Sequence, residues 1–341
     1  MGLDELDPAT RELVAALSLL AEARDKGQAT EADVALVVSK LGAMPPDFVP
    51  MAANQIAFWM RPTGASSWHG GLLSRFFVSD QDVVKLPGGQ WLGVFSHDGH
   101  VREASLARIH GAAPTPFFLA AIVLRLNDWV PEVRRAAQYC AARVFPATSA
   151  AMIVAAAPFI MGRRWQWSRW TSERALVDAM FDRADLAAEL SVWFLVARQG
   201  PVGRLLRDAL RRPTLDAYLG KMAVDAWSPA VRAIALDCLI EGRARWRSGR
   251  KWEGTSKVYN QGRWVADFAT RPIEGVSQPE RWIGVAARDR SAAVRKVAAD
   301  AMIARRETLP GLAELIELLR DDKSPAVRER IDFLVRKAGQ P

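Results

Sequence analysis

The chain has 341 residues, half of them apolar and a quarter charged, with a net charge of +8, 13 tryptophans and two cysteines. That composition belongs to a folded protein with a sizeable core and excludes collagen-like, low-complexity and disulfide-framework classes. No run approaches the roughly 18 uncharged apolar residues of a membrane span; the nearest, 147–162, is short and Ala-rich and predicts a buried helix.

The opening residues carry acids where a secretory signal has a basic segment, and Leu6 stands where the myristoylation pattern has Ser or Thr. Neither export nor a lipid or other membrane attachment is expected, and two cysteines fit a reducing, cytoplasmic setting. Residues 1–60 hold four Lys/Arg against nine Asp/Glu, a charge of −5, and predict a small helical cap. Within it, Asp7-Pro8 opens one helix, and Thr30-Glu31-Ala32-Asp33 opens a second that ends at Gly42 before Pro45-Pro46 break the chain. Residues 61–90, with RPTGASSWHGG and LPGGQ, predict loops around a short helix. Helix pairs follow near 115–144, 148–182, 184–211, 214–241, 279–304 and 309–338. The segment 242–275 breaks this pattern: it interleaves Arg, Trp, Tyr, Val and Gly, and its rough alternation with Gly262 predicts an irregular β-hairpin inserted between helix pairs.

One short pattern recurs five times: HDGHVREASLARI, NDWVPEVRRAAQYCAARV, DAWSPAVRAIALDCLI, RDRSAAVRKVAADAMI and DDKSPAVRERIDFLV. Each copy places a Val-Arg pair at the start of an Ala-rich helix, at Arg102, Arg134, Arg232, Arg295 and Arg328. The gaps of 32, 98, 63 and 33 residues correspond to one unit, three units, one unit plus an insertion, and one unit. Pro131, Pro229 and Pro325, three residues before their arginines, suit a first helical turn, where the missing N–H has no intrahelical partner. Asp128, Asp225, Asp289 and Asp322 stand in the preceding turns. Cys140 and Cys238 each follow their Val by seven residues, on the apolar face, and read as core.

At these residues the chain resembles the HEAT-repeat family, in particular the short bacterial HEAT-like repeats also seen in phycobilisome lyases. The resemblance spans residues 80–338 and implies an all-α fold: a right-handed α-solenoid of HEAT-like helix pairs over 61–341, carrying the inserted hairpin. In that family the repeated arginine pairs with turn aspartates. Each of Arg134, Arg232, Arg295 and Arg328 has an Asp in its own preceding turn, which favours an internal ladder over a phosphate-binding stripe.

Two Arg/Trp clusters are candidate binding sites. The first comprises Arg243, Arg245, Trp246, Arg247, Arg250, Lys251, Trp252, Tyr259, Arg263 and Trp264; the second comprises Arg163, Arg164, Trp165, Trp167, Arg169 and Trp170. Cations for phosphates beside rings for bases are what nucleic acid requires, and Arg stacked on Trp is equally a way to stabilise a hairpin. No catalytic motif stands out, and His97 and His100 lack the further ligands a metal site needs, so neither metal nor cofactor is expected. A weaker resemblance is to the HEAT-like alkylpurine DNA glycosylases, whose site pairs a helical Trp with an Asp one turn later. None of the 13 tryptophans has Asp or Glu four residues on; Trp264 has Asp267 at three, in the expected hairpin, and Trp170 has Asp178 at eight.

The expectation is a non-enzymatic binding module or scaffold for an acidic macromolecule, a protein ahead of nucleic acid. The alternatives are a nucleic-acid-binding protein, including a HEAT-like DNA glycosylase, and a lyase-like chaperone that presents a cofactor. Residues 201–300 hold 19 Lys/Arg against 11 Asp/Glu; docking of this basic part on the acidic cap of a second copy is a further expectation.

Overall fold

The computed structural model describes residues 7–59, 80–164, 166–170, 172–256, 261–275 and 278–338. These are mostly helical, with one two-stranded antiparallel sheet. The chain divides into two compact units, Met1–Leu186 and Ala187–Pro341.

In the first unit, helices α1 (Pro8–Asp25) and α2 (Glu31–Gly42) start where their caps dictate. The Asp7 carboxylate accepts from the Thr10 N–H, and Thr30 and Asp33 form a reciprocal capping box. Pro45-Pro46 redirect the chain rather than ending helical structure, since a 3-10 turn at Pro46–Phe48 leads into α3 (Val49–Trp59). Then come α4 (Asp80–Lys85), α5 (Gln90–Gly93), α6 (Gly99–Arg108), α7 (Pro116–Arg125), α8 (Pro131–Ala147), α9 (Ala150–Arg163) and α10 (Glu173–Phe181). The RPTGASSWHGG stretch lies outside the described residues. Helix α7 is apolar all round, Phe117 to Val123, and is accordingly covered on every side: α2, α3 and the 3-10 turn pack on it, as do α8 and α9.

The second unit comprises α11 (Leu186–Val196), α12 (Val202–Ala209), a 3-10 turn (Pro213–Tyr218), α13 (Leu219–Asp225) and α14 (Pro229–Glu241), then strands β1 (Arg243–Ser256) and β2 (Gln261–Pro272), then α15 (Pro279–Ala287), α16 (Ala292–Ala304), α17 (Leu312–Leu319) and α18 (Pro325–Ala338). Each Val-Arg helix packs on its pair partner, α13 on α14, α15 on α16 and α17 on α18, and also on the next Val-Arg helix, α14 on α16 and α16 on α18. Pro131, Pro229 and Pro325 each begin their helix. Cys140 and Cys238 are buried as their spacing predicts, and burial pushes both thiols up to about 12. Among the described residues no helix is long and apolar enough to cross a membrane.

The repeated arginines form a ladder, but with a partner different from the expected one. Each reaches its own preceding turn through Nη1, which donates to main-chain carbonyls: Arg102 to Ser96 and His97, Arg134 to Asp128 and Trp129, Arg232 to Ala226 and Trp227, Arg295 to Asp289, Arg328 to Asp322. The Asp that receives the guanidinium fork belongs to the following repeat. Arg102 donates through Nε and Nη2 to Asp128 (3.0 and 2.9 Å), Arg232 to Asp289 (2.7 and 2.9 Å), and Arg295 to Asp322 in the same way. Each of these carboxylates also accepts the N–H two residues on, from Val130, Ser291 and Ser324, and so starts its own repeat's helix. In the degenerate repeat after α8, Glu173 takes the Asp role at 3.8 Å from Arg134 Nε. Asp225, the last residue of α13, is exposed.

Arg102 and Asp128 are both almost wholly buried, and Asp128 also accepts from Arg125 at 2.9 Å. Removing one partner of such a pair strands a charge and costs about 3–5 kcal/mol. Asp128→Ala is therefore expected to lower the unfolding free energy by about that amount in denaturant titration. Arg328→Ala removes an exposed group that donates to the Asp322 carbonyl of its own turn, and the same titration is expected to show about 1 kcal/mol or less.

Burial raises the Asp128 and Asp289 carboxyls, but the arginine forks and the capping N–H groups outweigh it and hold both below the ordinary carboxylate value; at Asp322 the Arg295 fork is the largest influence, in the same direction. Groups depressed in the folded state stabilise it above their unfolded pKa and lose that contribution as pH falls through the folded one. The melting temperature should thus hold on acidification to the unfolded aspartate value, about 3.9, and fall below it. Asp128→Asn should show a shallower acid limb in thermal melts.

Candidate functional site

Side chains alternate between the faces of a strand, so strand register decides which of the clustered cations share a surface. Strands β1 and β2 pair antiparallel from Arg243 opposite Pro272 to Ser256 opposite Gln261, with extra residues in β1 at Ser248 and Thr255. The Ser248 bulge inverts the alternation. Arg243, Arg245 and Arg247 point to one face, and beyond the bulge Arg250 and Trp252 join them instead of facing away. Strand β2 adds Trp264, Ala266, Phe268 and Thr270 to this front face. The contacts agree with the register: Arg245 Cζ lies 4.1 Å above the Phe268 ring, and Trp252 meets Trp264 edge-to-face with centroids 5.6 Å apart.

The rear face is the anchored one. Ala244 is buried, and Trp246 is half-buried with Arg211 Cζ 6.0 Å from its ring. Arg271 forks onto Asp216 (2.7 and 2.6 Å) and donates to the carbonyls of Leu210 (2.9 Å) and Arg212 (2.6 Å). Along the open edge of β1, Arg207 and Arg211 donate to the carbonyls of Arg245 (3.4 Å) and Arg247 (3.1 Å), occupying acceptors that a bare edge strand leaves open. Gly242, at φ +63°, ends α14, and its carbonyl accepts from the Ile273 N–H at 2.9 Å, closing the neck of the insertion. At that root Asp237 of α14 is half-buried; burial raises its carboxyl, with Arg207, Arg245 and Arg243 acting in the opposite direction.

Farther out, both acids of the ribbon lie behind. Glu253 pairs with Arg263 at 3.3 Å, and Asp267 accepts from Ser248 Oγ at 3.0 Å. Lys251 shares that rear face. The front carries Arg243, Arg245, Arg247 and Arg250, all exposed, with Trp252 50% and Trp264 64% exposed, and no acid among its described residues. Gly262, diagonal to Trp252, permits this pair: a Cβ there would stand 2.6 Å from the Trp252 ring and 2.6 Å from the Glu253 carbonyl. Tyr259 lies outside the described residues.

The second cluster, in the first unit, has a different fate. Trp167 and Trp170 are buried, 4.6 Å apart, and Trp167 meets Phe159. Arg164 is buried and bound to Asp178 at 2.8 Å, Arg163 lies over Phe159, and the Arg169 N–H donates to Asn127. Arg164, Trp167 and Trp170 are thus internal packing, and Trp165 lies outside the described residues. Asp178 and Asp267, the two aspartates weighed against the glycosylase spacing, are engaged by Arg164 and Ser248 respectively.

Sequence reading missed Phe268, Arg207, Arg211 and Arg271. Phe268 was accessible to it, standing four residues after Trp264 and therefore on the same strand face; the arginines act through tertiary contacts that no spacing encodes. Comparison with protein-family models, with curated proteins and with solved structures finds no match for this chain.

Because Trp252 rests against Gly262 and Trp264, Gly262→Ala is expected to displace its ring. The edge-to-face pair should give an exciton couplet in the far-ultraviolet circular dichroism, and the variant should lose that couplet while keeping the helical bands.

Proposed function

We propose that this chain is a binding module built as a HEAT-like solenoid of stacked helix pairs, and that the front face of its inserted ribbon engages an acidic macromolecule. The observation that carries the reading is the segregation of charge on the ribbon: four exposed arginines in one row, the acids on the reverse. A ribbon that needed its cations only for its own stability would interleave them with the acids across strands, where opposite charges support each other. The solenoid part draws support from the fork that ties the helices of Arg102, Arg232 and Arg295 to the next repeat's turn, and from the packing of α14 on α16 and α16 on α18.

Retention on immobilised heparin, a generic polyanion, tests the reading. The wild type should elute at high salt, and the variant with Arg243, Arg245, Arg247 and Arg250 changed to Gln should elute far earlier. A charge-matched control with the exposed Arg290, Arg306, Arg320 and Arg336 changed to Gln should stay close to wild type. Equal elution of the two variants would mean that net charge, not this face, holds the polyanion.

A further inference from the structure

We infer that the partner of the ribbon face is a single-stranded nucleic acid, its phosphates held by the arginine row and its bases stacked on Trp252 and Trp264. This rests on the binding face proposed above and names what that face selects.

Two exposed tryptophans are costly to leave in water, and here they are held in place, Trp252 against Gly262 and both against each other. Trp252 continues the line of Arg243, Arg245, Arg247 and Arg250 along β1, and Trp264 stands opposite it on β2, so the face passes from a cationic run to an aromatic platform. An acidic polypeptide would use the arginines and leave the rings without flat partners. A duplex would likewise use the arginines alone, because pairing and stacking hide its base faces. Only an unpaired strand offers closely spaced phosphates and free base faces together.

Arg245 strengthens the case. Its guanidinium sits 4.1 Å over the Phe268 ring, which orients the planar group while leaving its donor edge for an anion. At the root of the row Arg243 pairs with Glu241 of α14 at 3.4 Å, but beyond it the described residues of the front face hold no carboxylate, which leaves Arg245, Arg247 and Arg250 facing a polyanion without a competing acid on their own face.

The test is a titration of the full chain with oligo(dT) of about 15 nucleotides, with a duplex of equal length and with poly-L-glutamate. Tryptophan emission and fluorescence anisotropy are both followed. Oligo(dT) should quench tryptophan emission and bind more tightly than either competitor. Trp252→Leu with Trp264→Leu should weaken it about tenfold to a hundredfold while leaving poly-L-glutamate affinity unchanged. Trp252→Phe with Trp264→Phe should retain most of the binding, separating lost stacking from lost folding. Changing the four arginines to Gln should lower the slope of log affinity against log salt by about 2 to 3.

Duplex binding equal to oligo(dT) and insensitive to the Trp changes would overturn the single-strand assignment. Poly-L-glutamate bound more tightly than any nucleic acid, and lost in the arginine variant, would overturn it in favour of an acidic protein while leaving the binding face intact. No binding of any polyanion at low salt would remove both readings.

Discussion

The interaction on which the repeats depend is one guanidinium with two obligations. At Arg102, Arg232 and Arg295, Nη1 donates to carbonyls of the turn just before the helix, while Nε and Nη2 form a fork on the aspartate of the next repeat. That aspartate in turn starts its own helix by accepting a main-chain N–H. Turn, helix and neighbour are thus fixed through one saturated carboxylate. Saturation matters because the pair at Arg102 and Asp128 is buried, where an unmatched charge would cost far more than the pair yields.

This link also explains how the chain accommodates a long insertion. Arg232 and Asp289 are 57 residues apart in sequence yet make the same fork that Arg102 and Asp128 make across 26. The ribbon leaves and returns through a neck closed by the bond from the Ile273 N–H to the Gly242 carbonyl, so α14 and α16 remain neighbours. The packing of α14 on α16 is therefore kept apart from whatever the ribbon carries. Its rear face is clamped through Arg271 and its β1 edge through Arg207 and Arg211, while the front-face arginines and tryptophans are exposed.

The two Arg/Trp clusters show how little composition says about exposure. Residues 162–170 and 243–264 share the same residue types, but the first lies in the connection between α9 and α10, where Phe159, Trp167 and Trp170 gather and Arg164 is neutralised by Asp178. The second lies on a two-stranded sheet with one face anchored and the arginines and tryptophans of the other exposed. A ring in a helix connection has core to fill, whereas a ring on the free face of a ribbon has only its strand neighbours.

The amino-acid sequence by itself determined the helices and their starts, because caps and prolines act within a few residues: Asp7, the Thr30–Asp33 box, Pro131, Pro229 and Pro325 all stand where the helices begin. It also determined the burial of the cysteines, through helical spacing, and the presence of a hairpin between α14 and α15. Only the tertiary structure decided that the ladder aspartates belong to the following repeat, since residues in a preceding turn and in a following one are both within sequence reach of an arginine and only stacking chooses. It alone decided which cations share a face, because one extra residue at Ser248 inverts the alternation, and a bulge of that kind is set by strand pairing rather than by any local signal in the chain.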